Sequence, residues 1–210
     1  MNEYRPGRTL VLVTTALLVA GVLGDIVALA GQAVVAFGLH ASLETYPDPS
    51  APEFIAAAVL LTLGGLGQLG AFLLTVIVFL TWFYRAAKNA QGFASDPLTH
   101  GPGWAIGGFF VPFLNLARPY QMARQIETAS GGISSSVIGF WWAAFLVNNI
   151  IGNIEFRMSE AGDDAMFVMM AIGSLAGATA AFFCARMMFY IEALQAERAR
   201  SPQAIADVFS

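Results

Sequence analysis

Four long blocks of apolar residues limit what this chain can fold into more than any other feature. They cover residues 9–37, 54–84, 135–156 and 165–191. Each reaches the roughly 20 residues that a helix needs to cross ~30 Å of hydrocarbon. Charged residues make up only 11% of the chain, against about 25% in a typical soluble domain. We therefore predict an all-α, polytopic membrane protein: one membrane domain over residues 1–210, with four transmembrane helices and a tail at 192–210.

A fifth apolar stretch, residues 104–117, is too short to be a span, and we name it the Pro112 segment. Even if fully helical it would extend only about 21 Å, short of the ~30 Å core. Pro112 removes a backbone donor and breaks or kinks a helix near its middle. We predict a short interfacial or re-entrant segment on the cytoplasmic side, followed by a helix that Pro119 opens, because proline is favoured at a first helical position.

The basic residues predict how the chain is oriented. Lys and Arg near span ends prefer the cytoplasm. In a four-span arrangement, nine of the ten basic residues fall on one side of the bilayer, and Arg157 alone falls on the other. The nine are Arg5, Arg8, Arg85, Lys88, Arg118, Arg124, Arg186, Arg198 and Arg200. This asymmetry predicts a multi-pass protein of the cell inner membrane with cytoplasmic N and C termini.

The most distinctive sequence lies between the second and third blocks. The second block ends in a Trp-x-Tyr-Arg-x-x-x-Asn pattern, Trp82 to Asn89. After a short loop come Pro-Gly-Trp-Ala at 102–105 and Val-Pro-x-x-Asn-Leu-x-x-Pro-Tyr at 111–120. This region resembles the bacterial membrane proteins grouped as domain of unknown function 4328. The resemblance implies a bacterial inner-membrane protein of about four spans, and it brings no known activity and no binding residue.

Polar residues inside the blocks form the first candidate site, which we name the polar layer. Its members are Asp25, Gln68, Asn148 and Asn149. At a rise of 1.5 Å per residue, they lie roughly 20–23 Å from the cytoplasmic ends of their helices. Asp25 is taken as the only intramembrane carboxylate. Two interpretations stay open: an ion, proton or ligand site, or hydrogen bonds that join the helices.

The second candidate site is the cytoplasmic motif. Its residues are Arg85, Asn89, Trp104, Pro112, Asn115, Arg118 and Pro119. It could recognise an anionic lipid headgroup or a membrane-protein partner. Alternatively, its cations only fix the topology, and its asparagines cap broken helices; Asn115, with Asn89 as partner, is expected to meet the backbone groups that Pro112 frees.

Sequence motifs give little support to other functions. There is no Gly-x-Ser-x-Gly or His-Glu-x-x-His motif, and Cys184, His40 and His100 form no zinc-binding spacing. A net charge of −4 gives no case for nucleic-acid binding. We predict no enzyme activity, cofactor or metal.

The chain is expected to lie in the lipid bilayer as a scaffold, regulatory or accessory module for a membrane partner or lipid. The alternative is a small transporter or channel subunit that uses Asp25. A homo-oligomer also stays open, because small residues such as Gly173 and Gly177 can pack within one chain or between copies.

Overall fold

The described part of the chain consists of helices and the loops that connect them. The computed structural model describes residues 4–40, 52–94, 98–158 and 163–201, and only the backbone of 31–40, 52–61, 63 and 163–167. Within these ranges there is no β-strand. The helices are α1 (Arg8–His40), α2 (Pro52–Phe93), α3 (Trp104–Phe110), α4 (Arg118–Ala129), α5 (Ser136–Met158) and α6 (Asp163–Arg200), with a 3₁₀ turn at Leu114–Leu116.

Four of these helices are long and apolar enough to cross a membrane. The qualifying stretches are Arg8–Ala30, Gly64–Phe93, Ser136–Met158 and Val168–Arg200. They correspond to the four predicted blocks, which confirms an all-α, polytopic membrane protein. All four helices continue past the predicted spans: α1 ends at His40, α2 at Phe93, α5 at Met158 and α6 at Arg200. The first residues of the predicted tail are therefore helical.

The spans pack in the order α2–α1–α6–α5. α1 lies between α2 and α6, and α5 packs against the other side of α6. Within the described residues, α2 and α5 do not pack along their length. At one end of the bundle, α3 and α4 pack on α2, and α4 also contacts α5 and α6. We call this end, which contains Gly7, Asn89 and Gln195, the motif end, and the remainder the open half.

The fully buried core lies at the motif end and combines aromatic side chains with alanine, methionine and isoleucine. Trp82, Phe83, Trp141 and Met188 are among its buried members. Phe109 of α3 sits between two helices, with ring centroids 6.0 Å from Phe79 of α2 and 6.2 Å from Phe145 of α5. α3 therefore fills the space between α2 and α5 at this end.

Pro112 breaks the Pro112 segment, as the sequence predicts. α3 ends at Phe110, and Val111 adopts an extended conformation with ψ 118°, as expected for a residue that precedes proline. Phe113 then takes a positive φ of 63°, which turns the chain into the 3₁₀ turn. Pro119 lies in the first turn of α4, where its missing N–H leaves no helical hydrogen bond unmade. The segment is thus two short helical pieces rather than one straight helix.

Candidate functional site

Arg118 organises the part of the motif end formed by α3 and α4. Its guanidinium carbon lies 5.4 Å from the centre of the Trp104 ring, a cation–π geometry. Its Nη1 donates to Gln121 Oε1 at 2.9 Å and contacts His100 Nε2. A Cβ added at Gly108 would lie 2.9 Å from Arg118 Cβ, so α3 approaches α4 closely because residue 108 has no side chain.

His100 fastens the preceding loop to α4. Its backbone N–H donates to Gln125 Oε1 at 3.1 Å. A guanidinium has only donors, so the contact with Arg118 requires an unprotonated Nε2. Burial and the charge of Arg118 accordingly lower the pKa of His100 below its ordinary value.

Asn89 holds the N-terminal segment of the chain and does not pair with Asn115. Its Oδ1 accepts from the Arg5 N–H at 3.1 Å, and its Nδ2 donates to the Arg5 carbonyl at 2.9 Å. Nδ2 also donates to Gln195 Oε1 at 3.0 Å. The Asn115 side chain is exposed. The expected Asn89–Asn115 pair is therefore absent, because the backbone of residue 5 occupies the Asn89 amide.

Glu192 is a second holder of the N-terminal segment that sequence reasoning missed. Its Oε1 accepts from the Gly7 N–H at 2.7 Å and from the Tyr4 hydroxyl at 3.4 Å. Burial, and then the charge of Glu192, raise the pKa of Tyr4. The sequence did contain a signal for this contact, because one face of α6 carries Met188, Glu192 and Gln195 at helical spacing. All three side chains are buried in the structure. A buried acid and amide on such a face need partners.

A third buried group, Glu127, joins α4 to its neighbours. It forms an ion pair with Arg124 at 2.6 Å, and it accepts from Tyr190 at 2.9 Å and from the Ser135 N–H at 2.6 Å. Its charge is thereby neutralised and its oxygens are satisfied. The charge of Arg124 is used inside the protein and is not free for a ligand.

Among the remaining residues of the cytoplasmic motif, Pro119 is buried, whereas Pro112 and Asn115 lie at the surface. Phe110, Phe113 and Leu116 are 68%, 86% and 57% exposed. Pro112 beside them is also exposed. Arg85 donates to the Pro6 carbonyl at 3.1 Å, so one of the motif's cations helps to hold the N-terminal segment. The Pro112 segment thus presents apolar side chains outward. Trp142 Nε1 of α5 donates to the Leu116 carbonyl at 3.0 Å and so holds the 3₁₀ turn of this segment to α5.

Three members of the polar layer come together in the open half. Gln68 Nε2 donates to Asp25 Oδ1 at 2.7 Å and to the Gly21 carbonyl at 3.2 Å. A Cβ added at Gly177 would lie 3.5 Å from Asn148 Oδ1 and 3.9 Å from Asp25 Oδ2. Each of the four spans therefore contributes one residue to this polar centre.

Asn149 does not join that centre, and Glu155 was overlooked. Asn149 is exposed and donates to the Phe145 carbonyl of its own helix at 2.8 Å. Glu155 lies inside α5, so Asp25 is not the only carboxylate within a candidate span. The sequence could have revealed this second carboxylate, because residue 155 lies within the predicted third block, 135–156.

Comparison with known proteins identifies one family. The family model described as "Domain of unknown function (DUF4328)" matches residues 47–193, which include both candidate sites except Asp25. No curated protein and no solved structure matches the chain. Among the described residues, no group of three or more His, Cys, Asp or Glu could hold a metal ion.

Proposed function

The chain belongs to the DUF4328 family, and we propose that it is a non-catalytic accessory module of the membrane whose motif end binds anionic lipid headgroups. The proposal places the motif end at the cytoplasmic face of a bacterial inner membrane. It rests on the residues of this chain, since the family description brings no activity.

The observation that carries the proposal is the distribution of charge at the motif end. The acids Glu127 and Glu192 are buried there. Several cations of the same end are exposed: Arg5, Arg8, Lys88 and Arg186. An exposed carboxylate, Glu197, lies farther along α6. The surface nearest the spans is therefore dominated by positive charge.

The exposed apolar tip of the Pro112 segment supports the same proposal. Side chains such as Phe110 and Phe113 are unfavourable in water, and exposed apolar patches mark interaction surfaces. Apolar residues beside cations are typical of segments that lie in the membrane interface. Each Lys or Arg close to an anionic membrane surface contributes about 1 kcal/mol of attraction.

Retention of lipid tests the proposal directly. The full chain would be purified in mild detergent from membranes that contain phosphatidylglycerol and phosphatidylcholine, and bound lipids would be counted by mass spectrometry. We expect preferential retention of phosphatidylglycerol. A variant with Arg5→Gln, Arg8→Gln and Lys88→Gln should retain at least about tenfold less, given about 1 kcal/mol per cation.

Arg157→Gln is the matched control, because Arg157 is also exposed but lies at the other end of α5. It should leave lipid retention unchanged. Equal retention of both lipids by the natural chain, or an equal loss in Arg157→Gln, would reject a headgroup site at the motif end.

Transport is a second candidate function, favoured by the contact of Asp25 with Gln68 and its proximity to Asn148. A proton or ion pathway could use such a centre. Vesicles containing the full chain would then conduct protons or cations down an imposed gradient, and Asp25→Asn would abolish the flux while the protein stayed folded. Flux equal to that of empty vesicles would reject this candidate.

A further inference from the structure

α2 and α5 diverge in the open half, and the stripe of α2 that closes the core becomes uncovered there. At the motif end, Phe83 is fully buried and Phe79 lies 6.2 Å from the Trp141 ring of α5. Phe72 and Gln68 continue this stripe at helical spacing. Phe72 is nevertheless 61% exposed. The side of α2 that faces α5 at one end thus faces open space at the other.

The matching stripe of α5 behaves in the same way. Trp141 is 2% exposed and contacts α2. Asn148 and Glu155 follow on the same face at intervals of seven residues, with Gly152 between them. Asn148 and Glu155 are half-buried and Gly152 is exposed. The two stripes border a cleft that opens sideways between α2 and α5, is closed at the motif end by Phe109, and has α1 and α6 behind it.

Two carboxylates lie in this cleft without a cation. Asp25 accepts one hydrogen bond, from Gln68. Within the described residues, Glu155 accepts none, and its carboxylate lies against Gly173, where an added side chain would collide with it. In a span, acidic side chains need a paired charge because isolated ones are costly.

A second copy of this chain in the same orientation would bring only one cation near the depth of these carboxylates, Arg157. Asp25 lies ~26 Å along α1 from Arg8, and Glu155 ~28 Å along α5 from Ser136, at 1.5 Å per residue. Nine of the ten Lys and Arg residues lie at or beyond the other ends of the spans. Arg157 is two residues from Glu155, which puts it on nearly the opposite side of α5. A different molecule that carries a basic residue at the depth of both carboxylates is therefore the better match to this pair.

We propose that a transmembrane helix of a partner protein, carrying a lysine or arginine in the leaflet of the open half, occupies the cleft between α2 and α5. Its basic side chain pairs with Asp25 and Glu155, and its apolar side contacts Phe72 and the backbone at Gly152. This interaction is independent of the headgroup site at the motif end.

Photocrosslinking of the full chain in phosphatidylcholine vesicles tests the proposal. The photoreactive residue p-benzoylphenylalanine would replace Phe72, or Leu74 as the control, which is also exposed but on nearly the opposite side of α2. The probe is a synthetic Leu/Ala transmembrane helix with one lysine near the end that lies in the open half. An otherwise identical helix carries leucine there. We expect the lysine helix to crosslink from position 72 about tenfold more than the leucine helix, a difference of ~1.4 kcal/mol.

Neutral variants separate charge pairing from loss of fold. Asp25→Asn and Glu155→Gln together should reduce crosslinking of the lysine helix to the level of the leucine helix. Asn keeps an oxygen for the Gln68 hydrogen bond, and circular dichroism and gel filtration would verify the folded state. Equal crosslinking of the two helices, or undiminished crosslinking in the neutral variant, would overturn the proposal. So would displacement of the lysine helix by phosphatidylethanolamine, whose amine would then be the natural cation.

Discussion

At the residue scale, the N-terminal segment depends on close approach of its backbone to α2 and α6. Gly7 donates its N–H to Glu192, and its carbonyl accepts the first bond of α1 from Val11. A Cβ added at Gly7 would lie 2.8 Å from both Glu192 Oε2 and Trp82 Cδ1. Both neighbours are buried, so neither has room to move away.

Gly7→Ala should therefore destabilise the protein. We expect the free energy of unfolding in mild detergent to fall by about 1–3 kcal/mol, the usual cost of overpacking a core. Gly21→Ala is the control, because a Cβ there meets nothing within 4 Å, and alanine in a helix is better than glycine by up to ~1 kcal/mol. Equal stability of the Gly7 and Gly21 variants in chemical denaturation would contradict the close approach.

The titration of His100 gives the motif end a pH dependence. Its folded-state pKa lies below the ordinary 6.5, so the unfolded chain takes up the proton first on acidification. The stability that His100 contributes is thus fully present above pH 6.5 and is lost as the pH falls through the lower, folded value. We expect the denaturation midpoint to drop between pH 7 and pH 5, and His100→Gln to remove part of that drop. His40→Gln is the control variant; the side chain of residue 40 lies outside the described residues. If the natural chain, His100→Gln and His40→Gln all showed the same pH profile, the pH dependence could not be attributed to His100.

At the element scale, the exposed part of the Pro112 segment, residues 110–117, is anchored to α5 by Trp142. Trp142 donates to the Leu116 carbonyl and stacks on Phe145, with ring centroids 5.1 Å apart. Trp142→Phe keeps a ring for stacking but removes the donor. We expect a loss of about 1 kcal/mol, typical of one hydrogen bond. A spin label at Phe113→Cys, in a Cys184→Ser background, should become more mobile in this variant. It should not do so in Phe140→Leu, because Phe140 lies exposed on α5. Unchanged label mobility in Trp142→Phe would show that other contacts hold the segment.

The sequence predicts the structural elements that depend on neighbouring residues. It does not predict contacts between residues that are far apart in the chain. The four spans follow from apolar length, and the break at Pro112 and the helix opened by Pro119 follow from proline geometry. Hydropathy gives the depth of a residue in the membrane but not the rotation of its helix. Asn148 and Asn149 have the same predicted depth, yet Asn148 faces Gly177 and Asn149 bonds its own helix. The Tyr4–Glu192 contact joins residues 188 apart in sequence, which no local pattern predicts.

At the scale of the whole molecule, the two ends of the bundle differ in how they bury polar groups. The motif end closes around a buried core of aromatic and aliphatic side chains. It satisfies Glu127, Glu192 and Gln195 with hydrogen bonds. In the Val168–Arg200 helix, by contrast, the most apolar window contains no fully buried residue. The packing energy is thus concentrated at one end, and the open half depends on lipid or a partner to cover it.

The distribution of charge between these two ends leads to a prediction of topology. Nine of ten basic residues belong to the motif end, and only Arg157 lies at the other. Since basic residues beside spans are retained in the cytoplasm, the motif end, both termini and the Pro112 segment should be cytoplasmic.

Single cysteines introduced into a Cys184→Ser background can measure this topology in intact cells with a membrane-impermeant maleimide. Cysteines at Ser42 and Gly162, which lie outside the described residues, should be labelled. Those at Ala94 and Ser201 should be labelled only after permeabilisation. Labelling of Ala94 in intact cells would place α2 and the Pro112 segment the other way round and would remove the basis for a cytoplasmic headgroup site.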